Sequence, residues 1–149
     1  MLEPRNYTIT DDDRGFMRMA CDLACENIGR GGGPFGAVIV KNGEVISAAG
    51  NTVTIDHDPT AHAEVNAIRR ACSLTGHFRL DGCVVYSSCE PCPMCLGALY
   101  LAGVSRVYYA DTATQVGNIN FDDTFIYKEI VKPHLERAIP CIPIEDSDA

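Results

Sequence analysis

CVVYSSCEPCPMCLGALYLAGVSRVYYA, residues 83–110, decides how this chain folds. Cys83 to Ser88 is a short apolar and β-branched run that reads as a buried strand. Pro93 to Gly103 reads as a helix, and Ser105 to Ala110 as a second strand. A strand, helix, strand order over so short a span implies a parallel pair joined by a right-handed crossover.

Working outward, Asp11 to Ile28 carries Phe16, Ala20, Leu23, Ala24 and Ile28 at helical spacing, behind acidic residues suited to a helix N-terminus. GRGGGP, residues 29–34, stops that helix. Phe35 to Val40 and Glu44 to Ala49 are β-rich runs on either side of Asn42-Gly43, the two-residue signal of a tight hairpin. Asp58-Pro59-Thr60 offers a cap and a first-turn proline to a further helix. Ala61, Val65, Ile68 and Cys72 would form its apolar face. An antiparallel hairpin beside a parallel pair makes the sheet mixed, with helices against it.

The 149 residues are enough for one compact domain, and no repeat, low-complexity stretch or linker divides 1–149. Hydrophobic residues make up 46% and charged residues 21%, a globular composition without a membrane-spanning run or an export signal. We therefore expect a cytoplasmic protein with no membrane partner. Its eight cysteines are then thiols rather than disulfides, with Cys21, Cys25, Cys72, Cys83 and Cys141 expected to be buried in apolar surroundings. Twenty acidic against twelve basic residues give a net charge of -8, which repels a phosphate backbone and argues against a nucleic-acid partner.

Two motifs fall at helix starts, His62-Ala63-Glu64 and Cys92-Pro93-Met94-Cys95. Cys92 and Cys95, three apart in a first turn, point the same way, and the positive helix end favours their thiolates. His62 and Glu64 are two apart and can converge only on something just off the helix end. One imidazole and two thiolates leave a fourth tetrahedral position open, as in catalytic zinc sites, where a bound water becomes acidic near neutral pH. Glu64 beside it would move protons, which is hydrolytic chemistry. Taken singly the residues read otherwise: His62 as a satisfied core histidine, Cys92 and Cys95 as a redox pair or part of a structural zinc site. Together, His-x-Glu and Pro-Cys-x-x-Cys form the signature of zinc nucleobase deaminases.

From its first helix to about Arg137 the chain resembles the cytidine deaminase-like superfamily. PFGAVIV (34–40), DPTAHAEVNAIRRAC (58–72), SSCEPCPMCLGALY (87–100) and FDDTFIYKEI (121–130) are most similar to bacterial guanine deaminases. The resemblance implies a three-layer α/β/α fold with a central mixed sheet. It implies Zn2+ on His62, Cys92 and Cys95, with Glu64 as proton shuttle. Phe35 would stack on the base, Asn51 would hydrogen-bond it, the backbone near Ala63 and Ser88 would line the pocket, and the carboxylate of Asp123 would accept from guanine's N1–H and 2-amino group. It also implies a homodimer acting on a small nucleobase. Similar guanine deaminases continue into a segment that covers the active site. Here the sequence reads IPCIPIEDSDA, residues 139–149, and the expectation is that such a lid is missing or supplied otherwise. The alternatives are deamination of adenosine in tRNA, deamination of another heterocycle such as cytosine or a triazine, and a non-catalytic zinc-binding scaffold.

Overall fold

The computed structural model describes residues 7–111 and 123–145. The chain divides into two compact units, Met1–Val116 and Gly117–Ala149.

In the first unit, α1 (Asp11–Gly29) is followed by β1 (Gly33–Lys41), β2 (Glu44–Asn51), a short α2 (Val53–Asp56), α3 (Ala63–Thr75), β3 (Cys83–Cys89), α4 (Pro93–Ala102) and β4 (Arg106–Asp111). The strand order is β2-β1-β3-β4. β1 runs antiparallel to β2 and β3, whereas β3 and β4 are parallel around α4, so the sheet is mixed as expected. Asn42 (φ 52°) and Gly43 (φ 79°) are both left-handed, the conformation a tight hairpin needs, and they set Lys41 opposite Glu44.

Alternation along the strands sorts side chains to two faces. Ala37, Ile39, Ala49, Cys83 and Val85 meet Ala63, Ala67 and Ala71 of α3 and Leu99 and Ala102 of α4. Val38, Val40 and Tyr86 meet Ala20 of α1, with Phe16, Met17 and Leu23 at the margin. Helices thus cover both faces, giving three layers. α1 begins with a capping box, in which the Thr10 hydroxyl accepts from the Asp13 amide at 3.1 Å and the Asp13 carboxylate accepts from the Thr10 amide at 2.9 Å. At its other end the buried Asn27 donates to the carbonyls of Gly33 and Asn51, 2.7 Å each. A Cβ at Gly50 would lie 2.4 Å from the Asn27 amide oxygen, so only glycine lets the end of β2 pass so close.

Three expectations need correcting. The helix anticipated from Asp58 begins at Ala63, with His62 as its N-cap. Asp58 Oδ1 instead accepts from the amide and hydroxyl of Thr60, at 2.8 and 2.7 Å, forming a local turn, and the short α2 precedes it. The buried face of α3 is Ala63, Glu64, Ala67 and Ala71, with Ile68 and Cys72 packed at its margin and Val65 half-buried. Alanine at each four-residue step lets the helix backbone approach the sheet, where the Ser47 hydroxyl donates to the Ala67 carbonyl at 2.8 Å. Finally, Cys83 is buried, but Cys25 and Cys141 are exposed and Cys21 and Cys72 are intermediate.

In the second unit a helix over Asp123–Ile130 is followed by a 3-10 turn at His134–Glu136. Arg137 closes the helix by donating to the carbonyls of Glu129 (3.0 Å) and Ile130 (2.9 Å), serving two of the carbonyls a helix end leaves unpaired.

Candidate active site

Two helix starts build the site. His62 precedes α3 in an extended conformation (φ -69°, ψ 156°), and Cys92 precedes α4 in nearly the same one (φ -67°, ψ 168°). As N-caps, both carry side chains past the helix ends. Cys95, one turn into α4, donates its amide to the Cys92 sulfur at 3.4 Å and points the same way. The result is a cluster in which His62 Nδ1 lies 3.5 Å from each sulfur. Tetrahedral zinc with nitrogen at about 2.0–2.1 Å and sulfur at 2.3 Å has N···S edges of about 3.6 Å, so the three donors stand at the spacing this ion requires. Among the described residues this is the one group of three or more His, Cys, Asp or Glu side chains close enough to share a metal.

The electrostatics agree. The Cys95 thiol donates to Cys92 and holds its pKa down at about 4, while the same bond, burial and the Glu64 charge push Cys95 up. Two sulfurs beside a buried carboxylate cannot all be charged without a cation, and a divalent ion would release the second thiol proton. Cys89 stays outside the cluster, paired with Asp111 across the parallel strands.

Glu64 lies in the first turn of α3 and is only 6% exposed. Its Oε1 accepts from the hydroxyl of Ser87 at 2.6 Å. Phe35 stands half-buried at the start of β1, packed against the core on the α3 side. It also lines, with Ser88, Cys89 and Asp111, a cavity of about 210 Å³ walled on its other side by Cys21, Ala24, Cys25 and Ile28 of α1, and neither Glu64 nor any of the three clustered donors lines it. Ser88 turns its hydroxyl to accept from the Gly36 amide at 3.0 Å. Asn51 is buried, its Oδ1 accepting from the Val53 amide at 3.0 Å. The turn after it is tied to the segment before His62, because the Thr52 amide donates to the Ala61 carbonyl at 2.9 Å and Asn66 donates to Gly50 and Thr52. Ala63, fully buried, begins α3 between His62 and Glu64. Asp123 begins the helix of the second unit, and its side chain lies outside the described residues.

Sequence reasoning missed Ser87 and Asn27. Both left a signal: a serine pair closing an otherwise apolar strand, and an amide on a helix just before a glycine run. Neither signal names its partner.

Comparison with known proteins agrees with this construction. Residues 10–111 match the model of the cytidine and deoxycytidylate deaminase zinc-binding region. Guanine deaminase of Bacillus subtilis is 57% identical over 126 residues, 84% of this chain and 81% of the relative. Its X-ray structure superposes with a TM-score of 0.88 at 53% identity, covering 91% of this chain and 87% of that one. A tRNA-specific adenosine deaminase of Aquifex aeolicus is 40% identical over 104 residues, 70% of this chain and 69% of the relative. With its His-x-Glu and Pro-Cys-x-x-Cys helix starts gathered at one zinc-sized site, the chain belongs to the family of cytidine and deoxycytidylate deaminase zinc-binding proteins.

Proposed function

We propose that the chain hydrolyses free guanine to xanthine and ammonia. The observation that carries this reading is the buried Glu64 carboxylate set against the His62, Cys92 and Cys95 cluster. A non-catalytic scaffold has no use for an ionisable group there. His62, Cys92 and Cys95 would hold zinc, which when bound would supply a water acidic enough to react near neutral pH. Glu64 would take a proton from the water that adds to C2, and would return protons to the ring and to the amino group that leaves as ammonia. Phe35 stacks on the base, Asn51 hydrogen-bonds it, and the backbone at Ala63 and Ser88 lines the pocket. Asp123, an acceptor-only group when ionised, takes the adjacent N1–H and 2-amino donors, an edge that adenine and cytosine lack.

The likeness to guanine deaminase extends further along the chain than the likeness to the tRNA deaminase, and the net charge of -8 opposes an RNA substrate. The test is ammonia release over guanine, cytosine, a triazine and adenosine in tRNA. Guanine should be the best substrate. Asp123→Asn should retain zinc yet lose kcat/KM for guanine by about 10- to 100-fold, as buried donors left unpaired cost roughly 1–3 kcal/mol each. Turnover of tRNA without turnover of guanine, or normal guanine turnover by Asp123→Asn, would reject the assignment.

The same reading includes a cytoplasmic homodimer. Leu74, Phe78, Tyr100 and Leu101 are exposed apolar side chains at and just beyond the C-terminal ends of α3 and α4, suited to a second copy. Sedimentation at micromolar concentration should give twice the chain mass, and a fully active monomer would contradict it.

A further inference from the structure

Ser87 is fully buried on β3, facing the same side of the sheet as Cys83 and Val85, against which α3 packs. Its hydroxyl oxygen sits between two acceptors, 2.6 Å from Glu64 Oε1 and 2.7 Å from the carbonyl of Cys89. A hydroxyl has one proton, so it serves one acceptor at a time. Both partners matter to the site. Glu64 carries the carboxylate, and the Cys89 carbonyl belongs to the strand end from which the chain enters Glu90, Pro91 and the first of the two cysteine donors, Cys92. The hydroxyl oxygen therefore lies within hydrogen-bond distance of both the α3 half and the α4 half of the site, and its one proton goes either to Glu64, 23 residues away in sequence, or to the Cys89 carbonyl.

We propose that Ser87 is the positioning residue of the proton shuttle: it engages Oε1 of Glu64, fixes the carboxylate's orientation, and leaves Oε2 to face the reacting atoms. The proposal rests on Glu64 being the shuttle. A glutamate side chain turns about three bonds, and packing alone fixes the last of them poorly, because that torsion is broad and two-fold. A short hydrogen bond from a fully buried strand residue, its proton given to Glu64, removes that ambiguity. The gain is geometric, since a misplacement of about 1 Å can cost a reaction 10²-fold.

The experiment measures kcat, KM, zinc content and thermal midpoint for Ser87→Ala and Ser87→Thr, each alone and with Glu64→Ala. Ser87→Ala should lower kcat by about 10-fold or more with KM changed by less than about twofold, the pattern of an interaction acting on the transition state. Its zinc content should remain that of wild type. Ser87→Thr, which keeps a hydroxyl on a β-branched residue suited to a strand, should recover most of that loss. In the Glu64→Ala background, Ser87→Ala should add nothing, because a residue acting through Glu64 has nothing left to orient. Three results would overturn the proposal: unchanged kcat in Ser87→Ala, an equal loss with and without Glu64, or a loss in Ser87→Thr as large as in Ser87→Ala at wild-type melting temperature. Wild-type turnover by Glu64→Ala alone would instead refute the shuttle assignment.

Discussion

Tyr86 and Ser87 are consecutive on β3 and serve opposite faces of the sheet. Tyr86 enters the α1 side, where its ring lies 5.3 Å from that of Phe16 and stacks on Tyr108 at 5.2 Å, and its hydroxyl donates to Asp13 at 2.5 Å. Ser87 enters the α3 side, among alanines, and its hydroxyl reaches Glu64. Both residues donate to a carboxylate on a helix. The difference is in what the helices bring. α1 offers bulky side chains at its margin and a cap at its exposed end, so its hydrogen bond secures packing. α3 presents alanines to the core, and α3 and α4 place two N-caps together, which draws backbone, thiols and a carboxylate into a space that larger side chains would fill. One face should therefore answer to mutation chiefly in stability, the other chiefly in chemistry.

The widest separation between the faces comes from the metal donors. His62→Ala and Cys92→Ser should each lose zinc, measured by metal analysis of the purified protein. Turnover should fall by more than about 100-fold, beyond the 10- to 100-fold typical of disturbing an outer-shell partner. Both variants lie at helix starts, where a substitution removes little packing, so the fold should be recognisable by circular dichroism. Full zinc occupancy in both would remove these residues from the site.

The features legible in the sequence were those whose signal is local. Asn42-Gly43 specifies its hairpin because left-handed backbone at two successive positions suits few other residues, and the run from Cys83 to Ala110 carries its own strand, helix and strand. The two metal motifs could be placed at helix starts for the same reason. Asp58 misled because an aspartate that accepts from the amide two residues on looks alike in sequence whether it caps a helix or closes a turn. The Pro-Thr that follows suits either. The face of α3 misled because hydrophobicity favours Val65, while close approach to the sheet favours alanine and Glu64 turns inward to accept from Ser87. Asn27 and Ser87 left local marks but no readable role, because each is defined by a partner more than 20 residues away, Asn51 and Glu64. Periodicity carries no trace of such pairs.

A smaller and sharper test lies on the α1 face. Tyr86→Phe keeps the ring and its stacking but deletes the bond to Asp13. A hydrogen bond to a charged group is worth about 1.5–3 kcal/mol when protected, and because Asp13 is partly exposed we expect about 1 kcal/mol here. For a chain of this size that lowers the melting temperature by about 2–4 °C. Turnover should be unchanged, since the side chain points away from the metal donors. The pH dependence follows from two opposite shifts. The Thr10 amide, then the Tyr86 hydroxyl, hold the Asp13 carboxyl below its usual range, so its contribution is complete above the unfolded value of about 4 and is lost as pH falls through the folded value. Burial, then the Asp13 hydrogen bond, push Tyr86 up, so its contribution is complete below about pH 10 and is lost as pH rises toward the folded value. Arg106, whose charge also favours ionised Asp13, is retained in the variant. The stability difference between wild type and Tyr86→Phe, read from urea midpoints, should thus be flat between about pH 5 and 9 and narrow on both sides. A difference independent of pH below 4 would mean that the aromatic packing, rather than the bond to Asp13, joins α1 to the sheet. A fall in kcat would mean that the two faces are not separate.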